Sequence, residues 1–283
     1  MTSFGARLHE AIRRRGPLCV GIDPHPGLLA DWGLNDDVAG LERFCGTVVE
    51  ALGGEVAIVK PQSAFFERHG SSGIAVLERL LADLRSAGVL VLMDAKRGDI
   101  GSTVQAYADA YVDPSSPLCA DAVTASPYLG FGSLRPLIDT ALAHGNGVFV
   151  LARTSNPEGA EVQRARGSDG RTVAETMLDR VREVNSDAQP LGSVGCVVGA
   201  TIAADGADGV NQENLRVNGP VLAPGIGAQG ARVSDLRAVF GPVVHSVLPA
   251  VSREILRNGP TVAALAASAF ALNQQVKEML IEK

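Results

Sequence analysis

Short apolar runs recur along this chain of 283 residues, and their alternation with helix-like segments limits its fold more than any other feature. The runs are Leu18–Asp23, Ala57–Pro61, Val89–Lys96, Ala122–Ser126, Val148–Arg153, Cys196–Thr201, Val221–Gly225 and Val244–Pro249. Each leads into a polar or glycine-rich turn. Between them lie Leu41–Leu52, Gly73–Ala87, Ser133–His144, Val173–Asn185 and Arg232–Val239, with apolar residues at three- and four-residue spacing. Runs this apolar suit strands buried on both faces, and the spacing suits helices packed against a sheet. Strict alternation calls for a parallel sheet. Eight such units in 283 residues predict a single closed (β/α)8 TIM barrel of the α/β class rather than an open doubly wound sheet. The first run also lacks the G-x-G-x-x-G turn of a dinucleotide fold. Residues 1–283 are expected to form one barrel domain, with an N-terminal amphipathic helix in MTSFGARLHEAIRRRG and a long, exposed, mobile loop at 154–171.

Composition narrows the chemistry. A hydrophobic fraction of 46% supplies ample core, and a net charge of −6 argues against an extended nucleic-acid or anionic-membrane surface. A phosphate can still be held locally by backbone N–H groups and one arginine. No apolar run approaches the ~20 residues that span a bilayer, and the N-terminus has no hydrophobic signal core. Cys19, Cys45, Cys119 and Cys196 are scattered and mostly flanked by apolar residues, so they read as reduced core residues rather than a disulfide frame or zinc site. The five histidines show no ligand spacing. The expectation is a cytoplasmic protein that binds neither nucleic acid nor membrane and holds no metal.

The stretch Val89–Asp99 reads V-L-V-L-M-D-A-K-R-G-D. Alternation along a strand puts Leu90, Leu92, Asp94 and Lys96 on one face, so the carboxylate and the ammonium leave the sheet together. One reading is a structural ion pair at a strand end. The other is a functional pair, since burying such ions costs several kcal/mol each before attraction offsets it, which folding seldom requires. Asp99, taken alone, reads as a helix N-cap ahead of the amphipathic stretch that begins at Ile100.

A barrel carries its chemistry at the C-terminal ends of its strands. There the sequence sets Asp23, Lys60, Asp94 with Lys96, Ser126, the segment P-G-I-G-A-Q-G (Pro224–Gly230), and Arg253. Gly225, Gly227 and Gly230 allow backbone to approach an anion, in the loop position where barrels often bind phosphate. Arg253 could grip two phosphate oxygens with its fork, and Gln229 could reach across them. The plainer reading is a glycine-rich turn with a surface arginine. Asp23, Lys60, Asp94 and Lys96 form an array of alternating charge in which neighbouring carboxylates keep each lysine protonated. A carboxylate near an incoming anion repels it by on the order of 4 kcal/mol at about 4 Å and an effective dielectric of roughly 20. Such an array suits expelling CO2 and protonating the carbon left behind. It does not suit hydride transfer.

D-A-K-R-G-D-I-G-S-T (Asp94–Thr103) resembles the D-x-K-x-x-D-I-x-x-T signature of the orotidine 5′-phosphate decarboxylase family. G-I-D-P-H-P (Gly21–Pro26), V-K-P-Q-S-A-F-F-E (Val59–Glu67), T-A-S-P-Y-L-G (Thr124–Gly130), P-G-I-G-A-Q-G and A-V-S-R (Ala250–Arg253) resemble its longer branch, found in actinobacteria and some other bacteria. These blocks span nearly the whole chain in the family's order. The resemblance implies a cofactor-free (β/α)8 enzyme that converts orotidine 5′-monophosphate to UMP and CO2, the last step of de novo UMP synthesis. It implies a catalytic set of Lys96, Asp94, Lys60 and Asp99. Lys96 would be the proton donor to C6, Asp94 would sit against the departing carboxylate, and Lys60 would position Asp94 and the ribose. Asp23 would bind a ribose hydroxyl. Ser126, with Pro127 beside it, would meet the pyrimidine edge. Gly225, Gly227, Gln229 and Arg253 would hold the phosphate under a closing lid. It further implies a homodimer in which Asp99 and Thr103 reach into the partner's site. Two other readings stay open. A related barrel acting on a sugar phosphate with Mg2+ shares the D-x-K-x-x-D pattern but needs a further carboxylate, where this chain has Lys60. A non-catalytic phosphoribosyl sensor would need a damaged charge array.

Overall fold

The computed structural model describes residues 1–202, 210–227 and 230–281. All eight runs become strands: β1 (Cys19–Ile22), β2 (Ile58–Pro61), β3 (Leu90–Arg97), β4 (Ala122–Ala125), β5 (Gly147–Arg153), β6 (Val194–Val198), β7 (Val221–Pro224) and β8 (Val247–Val251). They pair in chain order, all parallel, and β8 closes on β1 through Cys19 opposite Ala250. The expected barrel is the observed fold.

Side-chain alternation builds two apolar layers. Cys19, Ile58, Leu92, Ala122, Phe149, Val197, Leu222, Leu248 and Ala250 form the inner cluster, drawing on every strand. The outward set, including Val20, Val59, Val91, Val123, Val150, Val198, Val221 and Val251, packs under the helices. A barrel filled this way is a packed core and not a pore.

The helices are α1 (Phe4–Arg15), α2 (Val38–Leu52), α3 (Gly70–Ser86), α4 (Gly101–Tyr111), α5 (Arg135–Ala143), α6 (Val173–Val184), α7 (Leu236–Phe240) and α8 (Val262–Ile281), with shorter turns between. The expected N-terminal helix is α1, begun by Ser3, whose hydroxyl accepts from the Ala6 amide at 3.3 Å. Its Phe4 and Leu8 join the inner cluster, with Phe4 edge-on to Phe149 at 6.0 Å between centroids. The Gly5 amide donates to Ser193 Oγ at 3.0 Å, just ahead of β6, and Arg7 pairs with Asp121, just ahead of β4. Helix α1 therefore closes the N-terminal mouth of the barrel and leaves the C-terminal mouth for chemistry.

Three local expectations change. Strand β6 runs Val194–Val198, two residues earlier at its start than the expected run and three at its end, and Gly195 sits where a Cβ would lie 2.6 Å from the Pro220 carbonyl oxygen and 2.7 Å from the Phe149 ring. Strand β8 starts only at Val247, since Gly241–Ser246 winds into a 3-10 segment with Pro242 in its first turn. Within the segment 154–171 lies a short helix, Gly159–Gln163, that the sequence pattern did not announce. The Gln163 side chain ties that helix to Thr154, accepting from its amide at 2.9 Å and donating to its hydroxyl at 2.8 Å.

Candidate active site

Strands β2 and β3 carry the charges to the open mouth. Lys60 Nζ donates to Asp94 Oδ2 at 2.8 Å, and Lys96 Nζ donates to Asp94 Oδ1 at 2.6 Å. Gln62 Nε2 donates to Oδ2 at 3.0 Å and Thr124 Oγ1 to Oδ1 at 2.9 Å. Both acceptor oxygens are thus doubly engaged, which is the full capacity of an ionised carboxylate. Burial works to raise the Asp94 pKa, but Lys60 and Lys96 outweigh it and hold the group well below the usual carboxylate range. Burial likewise works to lower Lys60, and the charges of Asp94 and Asp23 outweigh it, so this lysine is held protonated. The two lysines differ in access. The Lys60 side chain is 10% exposed and that of Lys96 is 46% exposed, so only Lys96 presents its ammonium to the open side. Burial pushes the nearby Cys19 thiol up to about 12, which removes it as a competing nucleophile near neutral pH.

The juxtaposition of Asp94 and Lys96 does not come from regular alternation. The β3–β4 register runs Met93 opposite Val123 and then Arg97 opposite Ala125, so a bulge intervenes. Lys96 itself is left-handed, with φ of 49°. That conformation disfavours a residue with a Cβ by about 1–2 kcal/mol, so the surrounding structure must hold it. Gly98 follows because a Cβ there would lie 2.3 Å from the Ser126 carbonyl oxygen. Arg97 turns outward, with its guanidinium 5.5 Å from the Tyr107 ring centroid and 5.6 Å from that of Tyr111, and it pairs with Glu67.

At the same mouth a cavity of about 120 Å³ is lined by Gly21, Asp23, Lys60, Gly225, Ser252 and Arg253, among others. Lys60 thus belongs both to the Asp94 array and to the cavity that Arg253 lines. Asp23 Oδ1 and Ser252 Oγ are buried and have no hydrogen-bond partner among the described residues. Such atoms are costly unless a ligand meets them. Gly225 and Gly227 have φ of 111° and 72°, values that favour glycine and turn the backbone of this loop sharply. Gln229 lies outside the described residues.

Asp99, Thr103, Ser126 and Pro127 occupy another part of the rim. The N-cap of α4 is Ile100 rather than Asp99, whose Oδ1 accepts from the Ile100 amide at 2.8 Å one residue earlier. None of the four hydrogen bonds to the Asp94 carboxylate involves Asp99 or Thr103. The Ser126 amide donates to the Arg97 carbonyl at 2.9 Å, which fixes the backbone just past Lys96. Ile100, Tyr128 and Leu129 nearby in sequence are 62%, 77% and 54% exposed, an apolar surface beside this part of the rim. Gln62, Thr124 and Ser252 were absent from the sequence reading of the site. Each lies within a block quoted above (V-K-P-Q-S-A-F-F-E, T-A-S-P-Y-L-G or A-V-S-R), but a neutral side chain gives no charge pattern to read.

A family model described as orotidine 5′-phosphate decarboxylase / HUMPS matches residues 16–268. The chain belongs to that family. The matched stretch takes in all eight strands and every candidate site residue from Asp23 to Arg253. A relative from Salinispora arenicola, orotidine 5′-phosphate decarboxylase, is 67% identical over 269 residues, which is 95% of either chain. A crystal structure from Streptomyces avermitilis, described as a candidate orotidine 5′-phosphate decarboxylase, matches with a TM-score of 0.95 at 58% identity. That match covers 100% of this chain and 97% of the other. Leishmania donovani OMP decarboxylase matches with a TM-score of 0.77 at 32% identity, over 99% of this chain and 100% of that one. In this member of the orotidine 5′-phosphate decarboxylase / HUMPS family, no described helix is long and apolar enough to cross a membrane. All four cysteines are buried thiols.

Proposed function

We infer that the chain, acting as one domain over 1–283, converts orotidine 5′-monophosphate to UMP and CO2. The observation that carries this is Asp94 held between Lys60 and Lys96 at a mouth shared with Arg253. The phosphate is gripped by Arg253 and the backbone of Gly225 and Gly227, with Gln229 completing the grip, and the Asp23 carboxylate accepts a ribose hydroxyl. Ser126 and Pro127 take the pyrimidine edge. The substrate carboxylate then faces Asp94. The bond from C6 to the carboxylate breaks with its electron pair left on C6, and CO2 departs. The Lys96 ammonium gives its proton to C6, and water recharges the amine through its exposed side. Lys96 acts chiefly by stabilising charge that exists only as the bond breaks, so it accelerates the chemical step rather than tightening substrate. The positive charges this needs come from Lys60 and Lys96, so the reaction runs without a metal or cofactor.

The protein works as a homodimer in the cytoplasm, and Asp99 and Thr103 complete the partner's site. Their place on either side of the exposed Ile100, at the start of α4, supports this reading. The deciding experiment follows the absorbance of orotidine 5′-monophosphate with and without EDTA. Turnover undiminished by chelation is expected, and Lys96→Ala should lose nearly all of it while still binding UMP. Absence of turnover by the unaltered chain would overturn the assignment, and near-normal turnover by Lys96→Ala would remove Lys96 as the acid. Mixing Lys96→Ala with Asp99→Ala should restore turnover that neither shows alone, whereas a site complete within one chain would gain nothing.

A further inference from the structure

We propose that Thr124 is a positioning residue for this decarboxylation, setting where the Lys96 ammonium stands; the proposal rests on the function inferred above. Thr124 is fully buried in β4, and its hydroxyl uses every hydrogen-bonding valence it has. It donates to Asp94 Oδ1 at 2.9 Å and accepts from the Ala95 and Lys96 amides at 3.1 and 2.9 Å. One oxygen thereby ties the Asp94 carboxylate to the backbone that carries Lys96.

The bulge explains why this matters. From Met93 to Arg97 strand β3 advances four residues, while β4 advances only from Val123 to Ala125. The surplus amides on β3 face β4 without a ladder partner, and a buried amide left unpaired is destabilising. Thr124 is the residue of β4 between those two register points, and its hydroxyl takes both amides. In an unbulged strand Lys96 would stand about 6.6 Å beyond Asp94 along the sheet. The bulge draws it back, and the left-handed φ of 49° at Lys96 is the geometry that Thr124 holds. The lysine is half-exposed, so without this anchor its long stem is free to leave Asp94 for water. The threonine therefore acts through Lys96 and Asp94 rather than on the substrate.

The test compares Thr124→Val, which keeps shape and loses the hydroxyl, with Thr124→Ser, which keeps the hydroxyl. Turnover is expressed per UMP-binding site, so that loss of folded protein does not register as loss of catalysis. Thr124→Val should lower kcat at least about 10-fold, the scale of one lost hydrogen bond to a charged group, with KM and UMP affinity changed less than about threefold. Thr124→Ser should restore kcat to within about threefold of the parent. In a Lys96→Ala background, Thr124→Val should lower residual turnover by a clearly smaller factor than in the parent, because one of the two groups it positions is gone while Asp94 remains. Thr124→Cys, similar in volume and a weak hydrogen-bonder, gives the same reading should the valine variant not fold. A valine or cysteine variant with parental kcat overturns the proposal, as does an equal loss in the Lys96→Ala background. If the unaltered chain itself fails to turn over orotidine 5′-monophosphate, the functional assignment fails instead, so the two failures are distinct.

Discussion

The Lys60 ammonium and the Asp94 carboxylate meet at 2.8 Å where their side chains are only 10% and 9% exposed. Each is therefore the other's main compensation for lost water. A buried pair of this kind is poor value for stability against well-packed apolar residues, but removing one member strands the other. Its presence at the mouth of a barrel that already has two apolar layers is consistent with the proposed charge array.

Lys60→Met should destabilise the fold by about 3 kcal/mol, near the low end for an orphaned buried ion, because Lys96, Gln62 and Thr124 still hold Asp94. Urea unfolding measures this. Glu42→Gln is the control: it breaks the Arg79 pair, whose side chains are 55% and 48% exposed, and should shift stability by less than about 1 kcal/mol. Equal shifts in the two variants would show that burial does not govern these pairs.

Asp94→Asn separates two accounts of catalysis. If repulsion of the substrate carboxylate drives the reaction, the variant should bind orotidine 5′-monophosphate more tightly by the same factor that its turnover falls. The expected result is different: turnover falls at least about 100-fold, and the gain in affinity is smaller than that loss. Equilibrium binding and single-turnover rates on the same preparation decide it.

Asp94 also sets an acid limit. Its folded value is depressed below the unfolded reference of about 3.9, so the unfolded chain binds the proton first as pH falls. The stability it contributes is fully present above the unfolded value and is lost as pH falls through the folded one. Lys60, whose value is raised, contributes fully below about pH 10.4 and loses that contribution only as pH climbs through the folded value. Urea midpoints should therefore drop on going from about pH 5 to pH 3, and Asp94→Asn should flatten that drop. An unchanged slope in the variant would assign the acid sensitivity to other carboxylates.

Arg253→Ala should raise KM for the nucleotide roughly 10- to 100-fold, the scale of a lost bond to a charged group. Unfolding midpoints should stay near the parental value, since Arg253 is exposed. Arg253→Lys should recover only part of the affinity, because a point charge lacks the two-pronged geometry. Full recovery with lysine would mean that charge alone is read at this position.

The barrel and its charged residues were legible because apolar periodicity and charge are written in single residues. Asp23, Lys60, Asp94, Lys96, Gly225 and Arg253 could be named for that reason. The route by which Lys96 reaches Asp94 was not legible, since a bulge depends on the register between two strands and on Thr124 across the gap. Nor was Ser252, whose neighbour Arg253 supplied the only visible charge. Helix α8 escaped because V-A-A-L-A-A-S-A-F-A is alanine-rich on all sides, so its apolar face does not stand out until it packs beside α2.

Helix α1, seated under Phe149, makes the barrel a blind-ended vessel. Among the described residues the C-terminal mouth is then the shared way in and out for the nucleotide, the gas it sheds and the surrounding water, so they have to take turns. The pace of that exchange sets a ceiling on turnover that no refinement of the charged residues can raise.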